Sequence, residues 1–370
     1  MTANADAAAA GVEALDCLTP FGDAAATAAA LLAGRRALAP HPVLGPDGGD
    51  PVPLALIGGA MDEPVTPRWL APARELARRI PAGDWGSARE PVVVTSSNFG
   101  VGAMHAFTRD RDARHLAHGT PFAAAARLGR ELGWGEHVHV LSHACVTAHL
   151  GLALAGRLLH RGFANRVLVF SFDFVSPFVA AGFHSLKILN AAMPAPFAAR
   201  DSGSIGLGDG AAFAVLAAAP APLRLEAAAL HNEMHHFTSN RPDGAGFTAC
   251  AVAMAAAARG RRVWIKGHGT GTLEAGRLEA EAWRQAFPDA PLVSWKGSLG
   301  HTLGSCGLVE LAVAAAALRA GRIPGTVGGE APSFTANVAL GPLAAAGFDA
   351  AVLSANAFGG AHASFILAHD

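Results

Sequence analysis

Short apolar runs alternate with longer helical patterns along this 370-residue chain. The runs rich in Val, Leu, Ile, Phe or Ala are predicted as strands: 53–57, 91–95, 137–142, 166–173, 209–218, 263–266, 292–296 and 351–354. The clearest helical patterns cover Val146–His160, where Arg161-Gly162 supplies a stop signal, and Leu308–Arg319. Strands separated by helices favour parallel pairing, so the sequence predicts an α/β fold.

One pattern occurs twice. HVHVL leads into Ser-His-Ala-Cys and a helix, and LVSWK leads into Gly-Ser-Leu-Gly-His and another helix. Two copies of strand, polar elbow and helix predict two similar halves whose elbows meet in one site. An Ala- and Pro-rich run over 216–222 marks the predicted boundary, with one half over residues 1–218 and the other over 219–370.

Composition excludes several classes of protein. Hydrophobic residues make up 51% of the chain and charged residues 15%, which excludes a disordered chain, and a net charge of −1 offers no basic face for nucleic acid. No apolar run is long enough to predict a membrane span, and Met1–Ala10 lacks the positive charge of a secretory signal. The four cysteines are far apart, which predicts a reducing, cytoplasmic setting without disulfides: Cys17, Cys145, Cys250 and Cys306.

Cys145 is the first candidate for chemistry, because it lies between a predicted strand end and a helix start. Unpaired N–H groups and the helix dipole at that position favour a thiolate. The alternative is a buried, inert thiol, which is the usual state of a free cysteine.

Two histidines follow later strands. His268 lies in HGTGT with Thr270 and Thr272, and His301 lies in KGSLGH at the start of a helix. A pair formed by Lys296 and Glu310 would support the second elbow and favour neutral imidazoles. The alternatives are a solvated glycine turn for His268 and a surface salt bridge for the Lys–Glu pair.

Three further stretches contain chemistry-bearing residues. Phe358 precedes Gly359 and Gly360, so it is either a mobile aromatic with an accessible N–H or a turn residue in a core. The Gly-rich stretch 201–212 lacks a nucleotide-binding pattern and is predicted to pack closely beside the nucleophile strand. The cluster His231, Glu233, His235, His236 lacks the helical spacing of a metal site, so no metal is predicted.

Taken in order, these motifs resemble those of the β-ketoacyl-acyl-carrier-protein synthases, the elongating condensing enzymes of the thiolase superfamily. His143-Ala144-Cys145 stands where that family has Thr-Ala-Cys, and HGTGT, the Lys…GH…Glu segment and FGG follow in the family order. Pro196-Phe197 with the stretch 200–210 resembles another family motif, and 18–22 with 31–35 resembles its first strand and helix. The similarity extends over nearly the whole chain.

The resemblance implies a role for each matching residue. Cys145 would be the acylated nucleophile, His268 and His301 the paired histidines, and Lys296 and Glu310 their supporting pair. Phe358 would be the gate, and its N–H would join that of Cys145 in an oxyanion hole. The implied substrate-binding positions are Thr270, Thr272, Thr238 and Gly359.

The implied activity is a decarboxylative Claisen condensation with malonyl carrier protein, without a metal or redox cofactor. The implied fold is thiolase-like, five-layered α-β-α-β-α, in a homodimer or in a heterodimer with a second ketosynthase-like subunit. The implied partner is an acidic acyl carrier protein, and its candidate contacts, which are otherwise solvated surface charges, are Arg109, Arg111, Arg114, Arg127 and Arg130.

Near these motifs the chain departs from the family pattern at His143, Val146-Thr147-Ala148, Asp209, Leu273-Glu274-Ala275-Gly276, Asn356-Ala357 and Ala361-His362. The departures predict a divergent member of a type II polyketide or aryl-polyene set.

Other functions remain to be weighed against this one. A degradative thiolase would carry a second cysteine where Phe358-Gly359-Gly360 stands, and a starter synthase would lack the GSLGH histidine. The main alternative is a chain-length-determining partner that binds without condensing, although such subunits usually lose the cysteine. A generic α/β binding domain predicts that the cysteine, the histidines and Phe358 do not converge.

Overall fold

The computed structural model describes residues 10–42, 51–61 and 64–370. The predicted lack of a secretory signal rests on Met1–Ala10, of which residues 1–9 lie outside the described residues.

Strands form most of the interior. In chain order they are β1 (Ala10–Leu18), β2 (Ala39–His41), β3 (Val52–Ala55), β4 (Val92–Thr95), β5 (Val138–Leu141), β6 (Arg166–Asp173), β7 (Leu207–Gly208), β8 (Gly210–Ala217), β9 (Leu223–Asn232), β10 (Val263–Lys266), β11 (Leu292–Val293), β12 (Arg322–Ile323), β13 (Leu343–Ala344), β14 (Ala350–Ala357) and β15 (Ala361–His369).

Helices follow many of these strands. They are α1 (Ala24–Leu32), α2 (Leu70–Ala77), α3 (Val101–Asp110), α4 (Pro121–Leu132), α5 (Thr147–His160), α6 (Pro177–Ser185), α7 (Ala245–Ala258), α8 (Leu273–Ala286), α9 (Lys296–Leu299) and α10 (Cys306–Arg319). Short 3-10 turns cover Ala113–His118, Leu303–Ser305 and Ala345–Gly347.

The main sheet contains the same topology twice. Its ten strands run β11-β10-β14-β15-β9-β1-β8-β6-β4-β5, and β9 joins β1 through a short antiparallel pairing at the centre. Outward from β1, the pairings are antiparallel, antiparallel, parallel and parallel. Outward from β9 they follow the same sequence. The predicted pair of similar halves is therefore confirmed.

Five layers result from this repeat. Helices α1, α5 and α10 form a central layer that contacts strands of both halves. On the outer faces, α2 and α4 cover the first half, while α7 and α8 cover the second. The α-β-α-β-α order confirms the predicted fold class. Residues 218–222 connect β8 to β9, and a boundary between residues 218 and 219 stays a prediction.

Several predicted elements match the structure and others do not. The strands predicted over 166–173 and 263–266 have the bounds of β6 and β10. The strand predicted over 292–296 is wrong beyond residue 293. The Ser294 hydroxyl donates to the carbonyl of Gly269 and the Trp295 indole N–H donates to the carbonyl of Pro324, so both side chains are held by other loops where the chain leaves the sheet and enters α9. Strands β9 and β15 were not predicted, because their Ala-rich sequences carry little strand signal.

The Gly-rich stretch packs against a different partner from the one predicted. Leu207 forms a bridge with His301, Gly208 donates to the carbonyl of His301 (3.0 Å), and His301 donates to the carbonyl of Gly206 (2.7 Å). A Cβ on Gly208 would lie 2.1 Å from the carbonyl oxygen of Leu299. The stretch therefore supports the His301 loop and not the nucleophile strand.

Among the described residues, no helix combines the length and apolar character needed to cross a bilayer.

Candidate active site

One cavity of about 490 Å³ brings together most of the predicted site residues. Cys145, His268, His301 and Phe358 lie on its wall, although they are far apart in the sequence. The wall also includes the predicted substrate-binding threonines, Thr238, Thr270 and Thr272. Lys296 and Glu310 lie behind the histidines, and Gly359 is not on the wall. A generic fold without convergence is thus excluded.

Cys145 lies in a tight turn between β5 and α5. Ala144 has a φ of 45°, in the left-handed region that non-glycine residues rarely adopt. The hydroxyl of Thr147 donates to the Ala144 carbonyl (2.6 Å) and accepts from the N–H of His143 (2.7 Å). These bonds hold the turn in its strained conformation, with the thiol against the cavity.

The thiolate predicted for Cys145 is wrong for the resting site. Burial, followed by the neighbouring Cys306, raises the pKa of the Cys145 thiol well above its usual range, and this outweighs the lowering effect of Lys296. The thiol of Cys306 donates to the carbonyl of Cys145 (3.4 Å). Burial and Cys306 thus favour the protonated thiol.

The two histidines form a pair on the opposite elbow. Their rings lie edge to face, with centroids 4.9 Å apart and an interplanar angle of 89°. Glu279 accepts the backbone N–H groups of His268 (2.5 Å) and Gly269 (2.9 Å), which fixes the HGTGT loop. Within the described residues, both ring nitrogens of His301 and Nδ1 of His268 have no hydrogen-bond partner. These nitrogens are available to a ligand.

Both imidazoles are neutral in this environment. Burial lowers the pKa of His268 and of His301 well below the usual value, and the charge of Lys296 lowers it further. Lys296 Nζ lies 2.6 Å from Glu310 Oε1, and both side chains are buried. The pair is thus internal and not a surface salt bridge.

Phe358 lies in the turn between β14 and β15, where its ring stacks on Phe183 with centroids 5.7 Å apart. In the part of the chain that the structure describes, its N–H donates to no other group. Gly359 has a φ of 85°, a conformation that favours glycine. Thr270 and Thr272 hydrogen-bond to each other through their hydroxyls (3.2 Å).

The histidine-rich segment after β9 is held by Glu233, whose neighbour His362 is neutral because burial lowers the pKa of its imidazole to about 4. Glu233 accepts from backbone N–H groups of Arg241 and Gly246, and it contacts Nε2 of His362 (3.2 Å). Within residues 10–42, 51–61 and 64–370, no three His, Cys, Asp or Glu side chains are grouped as metal ligands.

Sequence reasoning missed three buried residues of this site: Lys266, Glu279 and Cys306. Lys266 also pairs with Glu310. Its signal in the sequence is its position, two residues after Trp264 on the inward face of a strand. The partners of the other two become visible only once the helices are placed.

Comparisons with known proteins confirm the resemblance to β-ketoacyl synthases. Residues 224–330 match the family model for the β-ketoacyl synthase C-terminal domain. The chain is 28% identical over 235 residues to the tetracenomycin polyketide synthase ketoacyl synthase alpha subunit of Streptomyces glaucescens, covering 57% of this chain and 55% of that protein. It is 26% identical over 246 residues to 3-oxoacyl-[acyl-carrier-protein] synthase 2 of Coxiella burnetii, covering 61% and 59%. The matches thus span less than two thirds of these relatives.

Solved structures of the same fold cover nearly the whole chain. A β-ketoacyl synthase from Burkholderia phymatum superposes with a TM-score of 0.81 at 19% identity, covering 98% of this chain and 99% of that one. A ketosynthase in complex with its chain length factor from Xenorhabdus doucetiae gives a TM-score of 0.81 at 20% identity, covering 98% of each chain. These neighbours confirm the thiolase-like fold.

Proposed function

We propose that this protein is a β-ketoacyl synthase that condenses an acyl group on Cys145 with malonyl carrier protein. The observation that carries the proposal is the convergence of Cys145, His268 and His301 on one cavity. We place it in a type II polyketide or polyene set, a placement supported by the similarity to a polyketide ketoacyl synthase alpha subunit.

The first step is acyl transfer. Sγ of Cys145 attacks the carbonyl of an acyl thioester, its proton passes to a neutral imidazole, and the carrier thiol leaves with a proton. The N–H groups of Cys145 and Phe358 stabilise the tetrahedral oxyanion. A neutral imidazole is needed because the resting thiol is protonated.

The second step forms the carbon–carbon bond. A malonyl thioester enters, its carboxylate leaves as CO₂, and the electron pair forms an enolate. N–H groups of His268 and His301 donate to the enolate oxygen. The nucleophilic carbon then attacks the acyl-Cys carbonyl, the C–S bond breaks, and a β-ketoacyl thioester leaves.

The proposed reaction needs no metal or redox cofactor, because the substrates arrive activated as thioesters on a phosphopantetheine arm. Thr238, Thr270 and Thr272 line the cavity where that arm would enter. The proposed partner is an acidic acyl carrier protein, and the proposed setting is the reducing cytoplasm. Two of the predicted arginine contacts already have acidic neighbours, Arg114 with Asp112 and Arg127 with Glu131.

Intact-mass spectrometry after incubation with a panel of acyl carrier proteins tests the proposal. We expect the wild-type chain to gain one acyl group and then to convert malonyl carrier protein into a β-ketoacyl product. Cys145→Ala abolishes acylation, while decarboxylation of malonyl carrier protein continues. The matched control is Cys17→Ala, since Cys17 is buried in β1 away from the cavity, and it acylates normally.

The contrasting result identifies the alternative. A folded wild-type chain that takes up no acyl group and resists labelling of Cys145 by iodoacetamide or cerulenin is a chain-length-determining partner.

A further inference from the structure

Two of the three lysines of the chain, Lys266 and Lys296, point at one buried carboxylate. Lys296 Nζ bonds to Oε1 of Glu310, and Lys266 Nζ pairs with Oε2. The three side chains are at most 4% exposed. The pair of Lys296 and Glu310 that supports the histidines is therefore a triad with Lys266, and the proposed function gives Lys266 no role.

The strand pattern explains why Lys266 reaches this carboxylate. Side chains alternate across β10, so that Val263 and Ile265 face the outer core while Trp264 faces the central layer. Lys266 is two residues after Trp264 and shares its face. Glu310 lies in the second turn of α10, in the same central layer.

Lys266 is close to the site in the sequence. It ends β10, and His268 follows after one glycine. An ammonium held at Glu310 therefore anchors the point where the HGTGT loop leaves the sheet. Without it, Oε2 of Glu310 would be a buried anionic oxygen without a partner, which is strongly unfavourable.

We propose that Lys266 is a positioning residue for the histidine pair: its ammonium neutralises one oxygen of Glu310, so that Lys296 and both imidazoles keep the arrangement that the enolate requires. The proposal deepens the proposed function and rests on it.

The charge of Lys266 is lost at moderately alkaline pH. Burial and the charge of Lys296 outweigh the raising effect of Glu310, so that the pKa of Lys266 is lowered to about 8. The other titratable groups around Lys266 are Cys306 and Glu310 on α10, Lys296 on α9, His149 on α5, Glu279 on α8, and His268 and His301 on the two loops of the site. Cys306 has a pKa of about 11 and His149 of about 3, and the pKa of Lys296 lies above its usual value. Among these groups, Lys266 is the one whose charge changes near pH 8.

Amine rescue tests the proposal directly. Lys266→Ala removes three carbons and the nitrogen, which n-propylammonium replaces and uncharged 1-propanol matches in shape. We expect decarboxylation of malonyl carrier protein to fall about 10- to 100-fold, as for other residues that hold a reacting group in place. Acylation of Cys145, which needs one imidazole as a proton acceptor and not two aligned donors, falls less than decarboxylation does. n-Propylammonium restores decarboxylation, and 1-propanol does not.

The pH profile gives a second measurement. Wild-type decarboxylation declines as pH rises through about 8, and Lys266→Met, which keeps an unbranched apolar stem and lacks the ammonium, does not show that decline. Arg319→Met, at the exposed end of α10, is the matched control and keeps the wild-type profile. If Lys266→Ala is too unstable for rate measurements, the rescue is measured by thermal unfolding. The amine must then raise the melting temperature of the variant, and propanol must not.

Three outcomes overturn the proposal: a folded Lys266→Met variant with the wild-type rate and profile, rescue by propanol equal to that by the amine, or no rescue by the amine. A wild-type chain without condensation would refute the proposed function instead. The proposal is then judged without turnover. The ring-proton NMR signals of His268 and His301 must shift with an alkaline titration in the wild type and not in Lys266→Met, and equal titration in both overturns it.

Discussion

At the scale of single residues, the two buried lysines beside His268 and His301 disfavour a positive charge on either imidazole. Both rings are buried beside two lysines, so the pKa of each imidazole is held far below neutrality. Each ring then carries one N–H and one lone pair. Such rings can donate to an enolate oxygen and can also accept the Cys145 proton, and an imidazolium, which has no free lone pair, could not do the second.

His301→Ala tests the enolate role. The change removes one donor from the oxygen of the enolate, and loss of one such donor costs on the order of 10²-fold in rate. We expect CO₂ release from malonyl carrier protein to fall by that amount, with acylation of Cys145 retained. The measurement is the formation of acetyl carrier protein by mass spectrometry.

The control for this change is His160→Ala, at the exposed end of α5, which keeps the wild-type rate. Wild-type turnover in a folded His301→Ala chain would remove His301 from the proposed mechanism.

The sequence predicted that Cys145, His268 and His301 would meet at one site, because each lies where a strand runs into a glycine-rich or polar elbow, and all three line one cavity. It did not predict the raised pKa of the Cys145 thiol, because the main cause is burial by side chains that are distant in the sequence. It also missed Lys266, whose partner Glu310 is on another element. Local patterns therefore located the residues that line the cavity, and tertiary burial shifts the pKa values of their side chains.

At the scale of elements, the repeated topology brings the site together. Strand β5 leads to the Cys145 turn and α5, while β11 leads through α9 to the His301 loop and α10. Since α5 and α10 pack against each other in the central layer, the two elbows face the same cavity. The sequence repeat predicted this meeting. It did not predict α9, because the side chains of Ser294 and Trp295, just before this helix, hydrogen-bond to carbonyls of loops that are distant in the sequence.

Gly208→Ala tests how the Gly-rich stretch supports the His301 loop. The new Cβ would lie 2.1 Å from a backbone carbonyl oxygen of Leu299, which cannot move independently. Such overpacking costs about 1–3 kcal/mol. We expect a lower melting temperature by calorimetry, and a lower condensation rate because His301 is displaced.

The matched control is Gly156→Ala within α5, where an added Cβ meets nothing within 4 Å. Replacing a helical glycine there should raise stability by about 0.5–1 kcal/mol. An unchanged melting temperature for Gly208→Ala would show that the Gly-rich stretch can move away from Leu299, and would contradict its role as a tight support of the His301 loop.

At the scale of the whole molecule, the two ends of the ten-stranded sheet differ. At the β11 edge, Leu292 accepts from Ala339 and donates to Asn337, so that edge is covered. At the other end, β5 pairs with β4 alone within the described residues, and its side chains are partly or fully exposed. An open edge with apolar side chains is a template for another strand. This supports the predicted pairing with a second copy or a related subunit.

Val140→Pro tests whether dimers form through β5. The carbonyls of His137 and Leu141 face β4, so the backbone of Val140, at the alternate position, faces the open edge. Proline there removes an outward N–H and is tolerated in an edge strand. We expect light scattering after size-exclusion chromatography to give the wild type a mass of twice the chain mass of 37.5 kDa, and to give Val140→Pro the mass of a monomer. Val140→Ala keeps the N–H and the dimer. A Val140→Pro chain that remains dimeric would place the interface elsewhere, because no edge-to-edge ladder could retain its hydrogen bonds around that residue.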